Sequence, residues 1–244
     1  VRKCQSLTAK KVRSDWISPM TKPKLLYSGT KKLPEIFSEK EINMIFQHII
    51  NSQDYLKSDW GQFMKWRDIC LIASVYILGL RPLEACKLKF SDFNFRIMVV
   101  KIKGTNNKTG KDRIIPVPQI LMKFYKEYFK LPRKRFWKGS KYLFPSAENN
   151  HISSGRLKHI FREKILKPLE LWEMPQDSKL PKLRLYSLRH SRASHILKKQ
   201  IKEHGQPDLY TIANFLGHAD LRSTQVYLHT DKEYQDYLRG QIEI

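Results

Sequence analysis

The sequence predicts a mainly α chain with a small antiparallel β-sheet, an α+β arrangement. Three observations point there. Apolar residues recur at helical spacing over most of the 244 residues. That period breaks once, in the short β-rich runs FRIMVVKIKG and DRIIPVP, which flank the polar loop TNNKT with a glycine at each end, the pattern of a hairpin. From about residue 117 the helical period returns.

Taken in order, residues 1–32 hold nine Lys/Arg against one acid and show no helical period. The stretch SPMTKPKLLYSGTKKLP, with three prolines and a glycine, reads as a linker or arm. A start at Val1 rather than Met suggests a fragment or processed chain whose upstream part is missing. The folded domain is expected over 33–244, opening at FSEKEINMIFQHII, where Ser38 is a helix cap and Glu41 sits at the third helical position. A second helix over roughly 61–79 carries the run ICLIASVYILGL into GLRPLE. After the hairpin, helices are predicted at 118–130, 154–166, 188–202, 208–216 and 231–241. Between 166 and 183, LKPLELWEMPQDSKLPKL reads as a proline-containing connection.

Composition narrows the function. Lys plus Arg is 46 against 23 acids, a formal charge of +23 and a pI near 9.9. A surplus of that size points to a polyanion, because neutralising phosphates releases their counterions. Within 101–141 thirteen Lys/Arg face only Asp112 and Glu127, and Phe136 and Trp137 interrupt the basic run PRKRFWKGSK. That mixture suits a surface tracking a nucleic-acid backbone. Hydrophobic residues at 41% and aromatics at 11% suffice for a packed core. Cys4, Cys70 and Cys86 form no C-x-x-C pair, which argues against a disulfide framework or a zinc site, and the last two are expected in the core. The longest apolar run is too short to span a bilayer, and no apolar segment follows the N-terminal charges as in a signal peptide. A protein of the cytoplasm is expected, or of the nucleus if the source is eukaryotic. No membrane contact, metal or other cofactor is expected.

Four short stretches then require a joint reading. GLRPLE puts Arg81 at the end of an apolar helix, where a buried cation needs an anionic partner. NNKTGKDRIIPVP puts Lys108 on the hairpin, LYSLRHSRASHIL opens a helix with Arg189, and LGHADLRSTQVYLHT supplies His218 and Tyr227. Singly, each has a bland explanation: a salt-bridged arginine, a loop lysine, a helix-surface charge, a packed aromatic. Together, and in this order, they resemble the boxes of the tyrosine recombinases, also called phage integrases. The family's G-x-R-x-x-E box is matched by Gly79, Arg81 and Glu84, and its hairpin lysine, eight residues before a proline, by Lys108 and Pro116. Its H-x-L-R-H box is matched by YSLRH, with Arg189 and His190. Its L-G-H box, with a tyrosine nine residues on and often Y-x-H, is matched by His218, Tyr227 and His229. The resemblance covers about residues 33–240.

The resemblance implies a tyrosine recombinase catalytic-domain fold and cleavage and rejoining of double-stranded DNA through a 3′-phosphotyrosyl link. Tyr227 would be the nucleophile. Arg81 and Arg189 would fork onto the non-bridging oxygens, aided by His218, and Lys108 would protonate the departing 5′ oxygen. Glu84 would orient an arginine, with His190 and His229 as further supporting residues. Two departures from the family pattern stand out. Tyr186 replaces the first histidine of the second box, a position implied to accept a proton or contact phosphate, and a phenol is a poor base at neutral pH. The stretch from Arg189 to His218 is longer than usual, with KKQIKEHG as the insertion. The resemblance further implies a homo-oligomer, a dimer on one site and a tetramer in synapsis, with 231–241 donated to a neighbour or packed on its own domain. An accessory DNA-bending protein and a missing upstream DNA-binding domain joined through 1–32 complete the expectation. A type IB topoisomerase-like nicking-closing enzyme and a catalytically silent DNA-binding regulator remain alternatives. Tyr186 and the long 166–182 connection lean toward a mobile-element integrase.

Overall fold

The computed structural model describes residues 34–53, 55, 57–106, 110–130, 139–146, 150–176 and 182–229. The arm at 1–32, Lys108 and the expected helix at 231–241 lie outside these residues, as does most of PRKRFWKGSK.

Helix α1, Glu39–Asn51, begins as its sequence dictates. The Ser38 hydroxyl accepts from the Glu41 N–H at 3.2 Å, while the Glu41 carboxylate accepts from the Ser38 N–H at 2.7 Å. Ile42, Ile45 and Ile49 form its buried stripe. Helix α2, Asp59–Ile77, is buried on all sides from Arg67 to Val75, as a helix apolar around its whole circumference must be. Its internal ion pair, Arg67 to Asp68 at 2.7 Å, is completed by the Tyr55 hydroxyl donating to Asp68.

A short helix that the pattern does not predict follows, α3, Pro82–Cys86, with Pro82 in the first turn, where a missing N–H costs nothing. Next come β1, Phe93–Asn94, β2, Val99–Ile102, and β3, Arg113–Pro116, in an antiparallel sheet of order β1-β2-β3. The hairpin is present, and β1 adds a strand too short for a period to reveal. Val100 pairs with Ile115, and both face the core, whereas neighbouring Ile114 is 67% exposed. Alternation therefore puts Arg113 on the same face as Ile115.

Helix α4, Gln119–Phe129, buries Leu121, Tyr125 and Tyr128 against α2, where the Tyr125 hydroxyl meets that of Ser74 at 2.8 Å. The helix expected over 154–166 is α-helical only in α5, Ser154–Phe161, and widens to a π turn over Arg162–Leu166. The helix expected at 188–202 is longer, α6, Leu185–His204. Residues 198–204 of the insertion form its last turns, and Gly205 caps it in the left-handed conformation. Then come α7, Leu209–Leu216, capped by Asp208 and ended by Gly217, and α8, Arg222–Gln225, running into a 3₁₀ turn over Val226–His229.

The large core surrounds α2 and includes Cys70 and Cys86. A second, smaller cluster joins Ala193 and Leu197 of α6 to Ile212 and Leu216 of α7, with the Tyr227 ring. Burying side chains such as Leu197 and Ile212 contributes about 1.5–3 kcal/mol each, so α7 and the Tyr227 turn are packed onto α6. Among the described residues no helix is long and apolar enough to cross a membrane.

Candidate active site

The first three boxes within the described residues hold one another through backbone carbonyls. Arg189, in the second turn of α6, is fully buried. One terminal nitrogen donates to the Gly79 carbonyl before α3, and the other to the Leu216 carbonyl at the end of α7, at 2.6 Å. Arg81 reaches back the other way, its Nη2 donating to the Gly217 carbonyl at 3.2 Å. Each guanidinium is thus fixed by a carbonyl supplied by another box. The Nε–H of Arg189 is buried with no partner among the described residues.

Glu84 gathers the cations. Its Oε1 accepts from Arg81 Nη1 at 2.9 Å, and its Oε2 accepts from the Arg81 N–H at 2.8 Å. Arg113 of β3 forks onto both oxygens at 3.0 and 2.7 Å, a bidentate pair. Burial alone would raise the Glu84 carboxyl, but the Arg113 guanidinium and the Arg81 N–H hold it below its ordinary value. Burial lowers Arg189 to about 10, a tendency opposed by Tyr186 and reinforced by Arg81, and it stays charged at neutral pH. Arg81, Arg113 and Arg189 thus set three positive charges against the one negative charge of Glu84.

The neutral groups face this cluster from α6 and the C-terminal turn. The Tyr227 hydroxyl lies 2.8 Å from His190 Nδ1, with its ring buried in the small apolar cluster. Tyr227 is therefore a packed aromatic and also a candidate nucleophile, because ring and hydroxyl face different surroundings. Burial raises its pKa, opposed by the Arg189 and Arg81 charges. His218 stacks over the Tyr227 ring, centroids 6.4 Å apart and planes 14° from parallel. Its Nδ1 meets the buried Thr224 hydroxyl at 2.8 Å, leaving Nε2 for another partner. Burial, then Arg189 and Arg81, push His218 down to about 3, so its ring is neutral at pH 7. Tyr186, one turn before His190, meets that imidazole edge-on at 4.9 Å.

The fold brings together Arg81, Glu84, Tyr186, Arg189, His190, His218 and Tyr227 from segments up to 146 positions apart (227 − 81). Lys108 falls outside the described residues, and His229 is placed only by its backbone, at the end of the Tyr227 turn. Sequence reasoning missed Arg113 and Thr224. Arg113 shares a face with Ile115, but the sequence leaves open whether Ile114 or Ile115 is the core residue, and only the sheet register makes that choice. Thr224 carried no signal. Two openings flank the cluster. One, of about 250 Å³, is lined by Lys111, Arg113, Tyr210, Asn214 and His218. The other, of about 500 Å³, is lined by Lys158, Arg162, Trp172, Arg184 and Tyr186.

Carbonyl-clamped arginines on a helical scaffold, with a histidine and a buried tyrosine beside them, define a site made to hold an anion next to a hydroxyl. The chain belongs to the phage integrase family, whose model matches residues 35–234. Among curated proteins it is 31% identical over 200 residues to a protein named tyrosine recombinase XerA of Pyrococcus furiosus, covering 81% of this chain and 58% of that protein. It is 30% identical to tyrosine recombinase XerC of Halalkalibacterium halodurans, covering 91% and 67%. The chain spans about three fifths of the length of the curated relatives it matches. Among solved structures, the XerH site-specific recombinase bound to palindromic difH substrate superposes with a TM-score of 0.65 at 23% identity, covering 87% of this chain and 54% of that one. The Tn1549 transposon integrase in complex with a circular intermediate DNA gives 0.64 at 16% identity, covering 89% and 68%. These likenesses establish the fold expected from the boxes: mainly helical with a small antiparallel sheet.

Proposed function

We propose that this chain is the catalytic part of a site-specific DNA recombinase that cleaves and rejoins strands through a covalent 3′-phosphotyrosyl intermediate. One observation carries the reading. Arg81 and Arg113 bond the single carboxylate of Glu84, Arg189 lies within its field, and the charges of Arg189 and Arg81 act on the Tyr227 hydroxyl, so that among the described residues two positive charges stay uncompensated and the buried Arg189 Nε–H has no partner. A phosphodiester supplies one negative charge, and its pentavalent transition state about two. The site is therefore matched to the transition state more closely than to the ground state.

In this mechanism Tyr227 attacks phosphorus, an O–P bond to the phenol forms, and the bond to the 5′ oxygen breaks. Lys108 supplies the proton for that oxygen. Arg189, held rigid by two carbonyls, and Arg81 bind the non-bridging oxygens, and His218 donates from Nε2 with Thr224 fixing its ring. The phosphotyrosine conserves the energy of the broken bond, so a second 5′ hydroxyl can reverse the step without a nucleotide cofactor. Double-stranded DNA is the partner, with protomers pairing on a site and two pairs in synapsis. Segment 1–32 is the arm to an upstream DNA-clamping domain, and 231–241 is the segment exchanged between neighbours. Integration or excision of a mobile element is the finer reading, supported by Tyr186 and the long connection after residue 166.

The test is a nicked suicide duplex bearing the site that the protein itself selects from a randomised DNA pool, incubated in EDTA. A denaturant-resistant protein–DNA adduct is expected, and Tyr227→Phe should abolish it with binding intact. Tight binding without an adduct from the unmodified chain would make this a DNA-binding regulator instead.

A further inference from the structure

The family position implied to accept a proton or contact phosphate is Tyr186 here, and a phenol, though able to bond a phosphate oxygen, is a poor base at neutral pH. The surroundings of Tyr227 offer another group. Its hydroxyl lies 2.8 Å from His190 Nδ1, within reach for direct proton transfer. Among the described residues, Glu84 and His218 are less suitably placed. Both oxygens of Glu84 are bound by arginines, and His218 meets Tyr227 face to face with its Nδ1 held by Thr224. Tyr186 packs edge-on against the His190 ring, which steadies the imidazole in its orientation toward Tyr227.

We propose that His190, rather than the residue at position 186, is the general base that takes the Tyr227 proton during cleavage and returns it during rejoining. The inference rests on the recombinase reading above and assigns a step within it. As the Tyr227 oxygen bonds to phosphorus, its proton passes to His190 Nδ1, giving an imidazolium with Nε2 already protonated. The bond to the 5′ oxygen breaks, and that oxygen takes its proton from Lys108. In rejoining, a 5′ hydroxyl attacks phosphorus and passes its proton to the now neutral Lys108, the bond from phosphorus to the Tyr227 oxygen breaks, and the imidazolium gives its proton back to that oxygen.

The charges around His190 fit both directions. Arg189 and Tyr186 flank it on α6, Arg184 stands just before that helix, and His218 and Tyr227 face it from the C-terminal segment. Burial, then Arg189 and Arg184, hold His190 down to about 4, so it is an unprotonated acceptor at pH 7. A phosphate bound at Arg189 offsets part of that cationic field, strengthening the base only when substrate is present. The strained imidazolium is in turn a ready acid for the reverse step.

His190→Asn keeps a polar side chain where Nδ1 lies but removes the base. On the suicide duplex its adduct formation at pH 7 should fall about 10²–10³-fold, with DNA affinity unchanged. Its rate should then climb about tenfold per pH unit, because Tyr227 must ionise unaided, whereas the unmodified chain should level off above its acid limb. Cleavage within about threefold of the unmodified chain, or an unaltered pH profile, would overturn the proposal. A duplex with sulfur at the bridging 5′ position needs no leaving-group proton and should not rescue His190→Asn; rescue would put His190 on the leaving group instead. Should the variant fail to fold, ¹⁵N shifts of the His190 ring in the unmodified chain decide: a protonated Nδ1 sinks the idea. Tyr227→Phe run alongside separates the two levels. An adduct lost in Tyr227→Phe but kept in His190→Asn removes only the base assignment, and no adduct from the unmodified chain removes the recombinase reading too.

Discussion

At the scale of residues, Glu84 decides whether this site exists. It is almost fully buried, and its two oxygens organise Arg81 and Arg113 while its charge offsets part of the field around Arg189. Removing one partner of a buried charge group leaves the others uncompensated, so Glu84→Gln should destabilise the chain by about 3 kcal/mol in urea titration. The same residue gives a pH signature. Its folded pKa lies below the unfolded value, so the stability it contributes is present above the ordinary carboxylate range and is lost as pH falls through the lowered value. The melting temperature of the unmodified chain should therefore fall below about pH 4.5, and Glu84→Gln should flatten that part of the curve. An unchanged acid limb in the variant would show that other carboxylates carry it. Arg81 and Glu84 could be set side by side from the sequence because they lie three positions apart in one box. Arg113 could not, since only the sheet register turns it toward them.

At the scale of elements, the site is built from element ends rather than middles. The carbonyls that clamp the arginines belong to Gly79, after α2, and to Leu216 and Gly217, at the close of α7. Helix ends leave carbonyls without intrahelical partners, and here guanidiniums fill that need. Gly217 combines a φ of +68 with close approach: a Cβ there would stand 2.8 Å from Arg113 Nη1. Gly217→Ala should lose about 1–2 kcal/mol from the left-handed conformation alone and displace Arg113 as well. Gly205, with φ +72 and nothing within 4 Å of a built Cβ, is the control. Gly205→Ala should lose similar stability yet form adduct at the unmodified rate, while Gly217→Ala loses both; equal adduct rates would rule out positioning through Gly217. The start of α6 also matters at this scale. The pattern predicted a helix from 188, but Leu185 and Leu188 are both buried and draw the first turn back to 185, which puts Tyr186 and His190 on one face.

At the scale of the whole molecule, the +23 charge would dominate the DNA binding proposed above. Binding should weaken steeply with salt, log K falling against log salt by about 0.9 for each phosphate neutralised. The opening beside Tyr186 offers Lys158 and Arg162 next to Trp172, over whose ring Arg162 lies at 5.6 Å. Lys158→Ala should lower that slope by about 1 and weaken all sequences alike, measured by fluorescence anisotropy across a salt series. An unchanged slope would place the DNA path away from this opening. The sequence by itself determined most of the longer helices, the hairpin, the order of the boxes and the net charge, because capping, hydrophobic period and charge are local or additive properties. Only the tertiary structure decided that Arg189 is buried rather than on a helix surface, that Arg113 joins Glu84, and that His190 meets the Tyr227 hydroxyl. Those contacts join residues 27 to 110 positions apart, and no local pattern encodes them. They arise when α7 and the Tyr227 turn bury their apolar faces against α6 and when the sheet register turns Arg113 toward Glu84, so packing, not spacing, sets the chemistry.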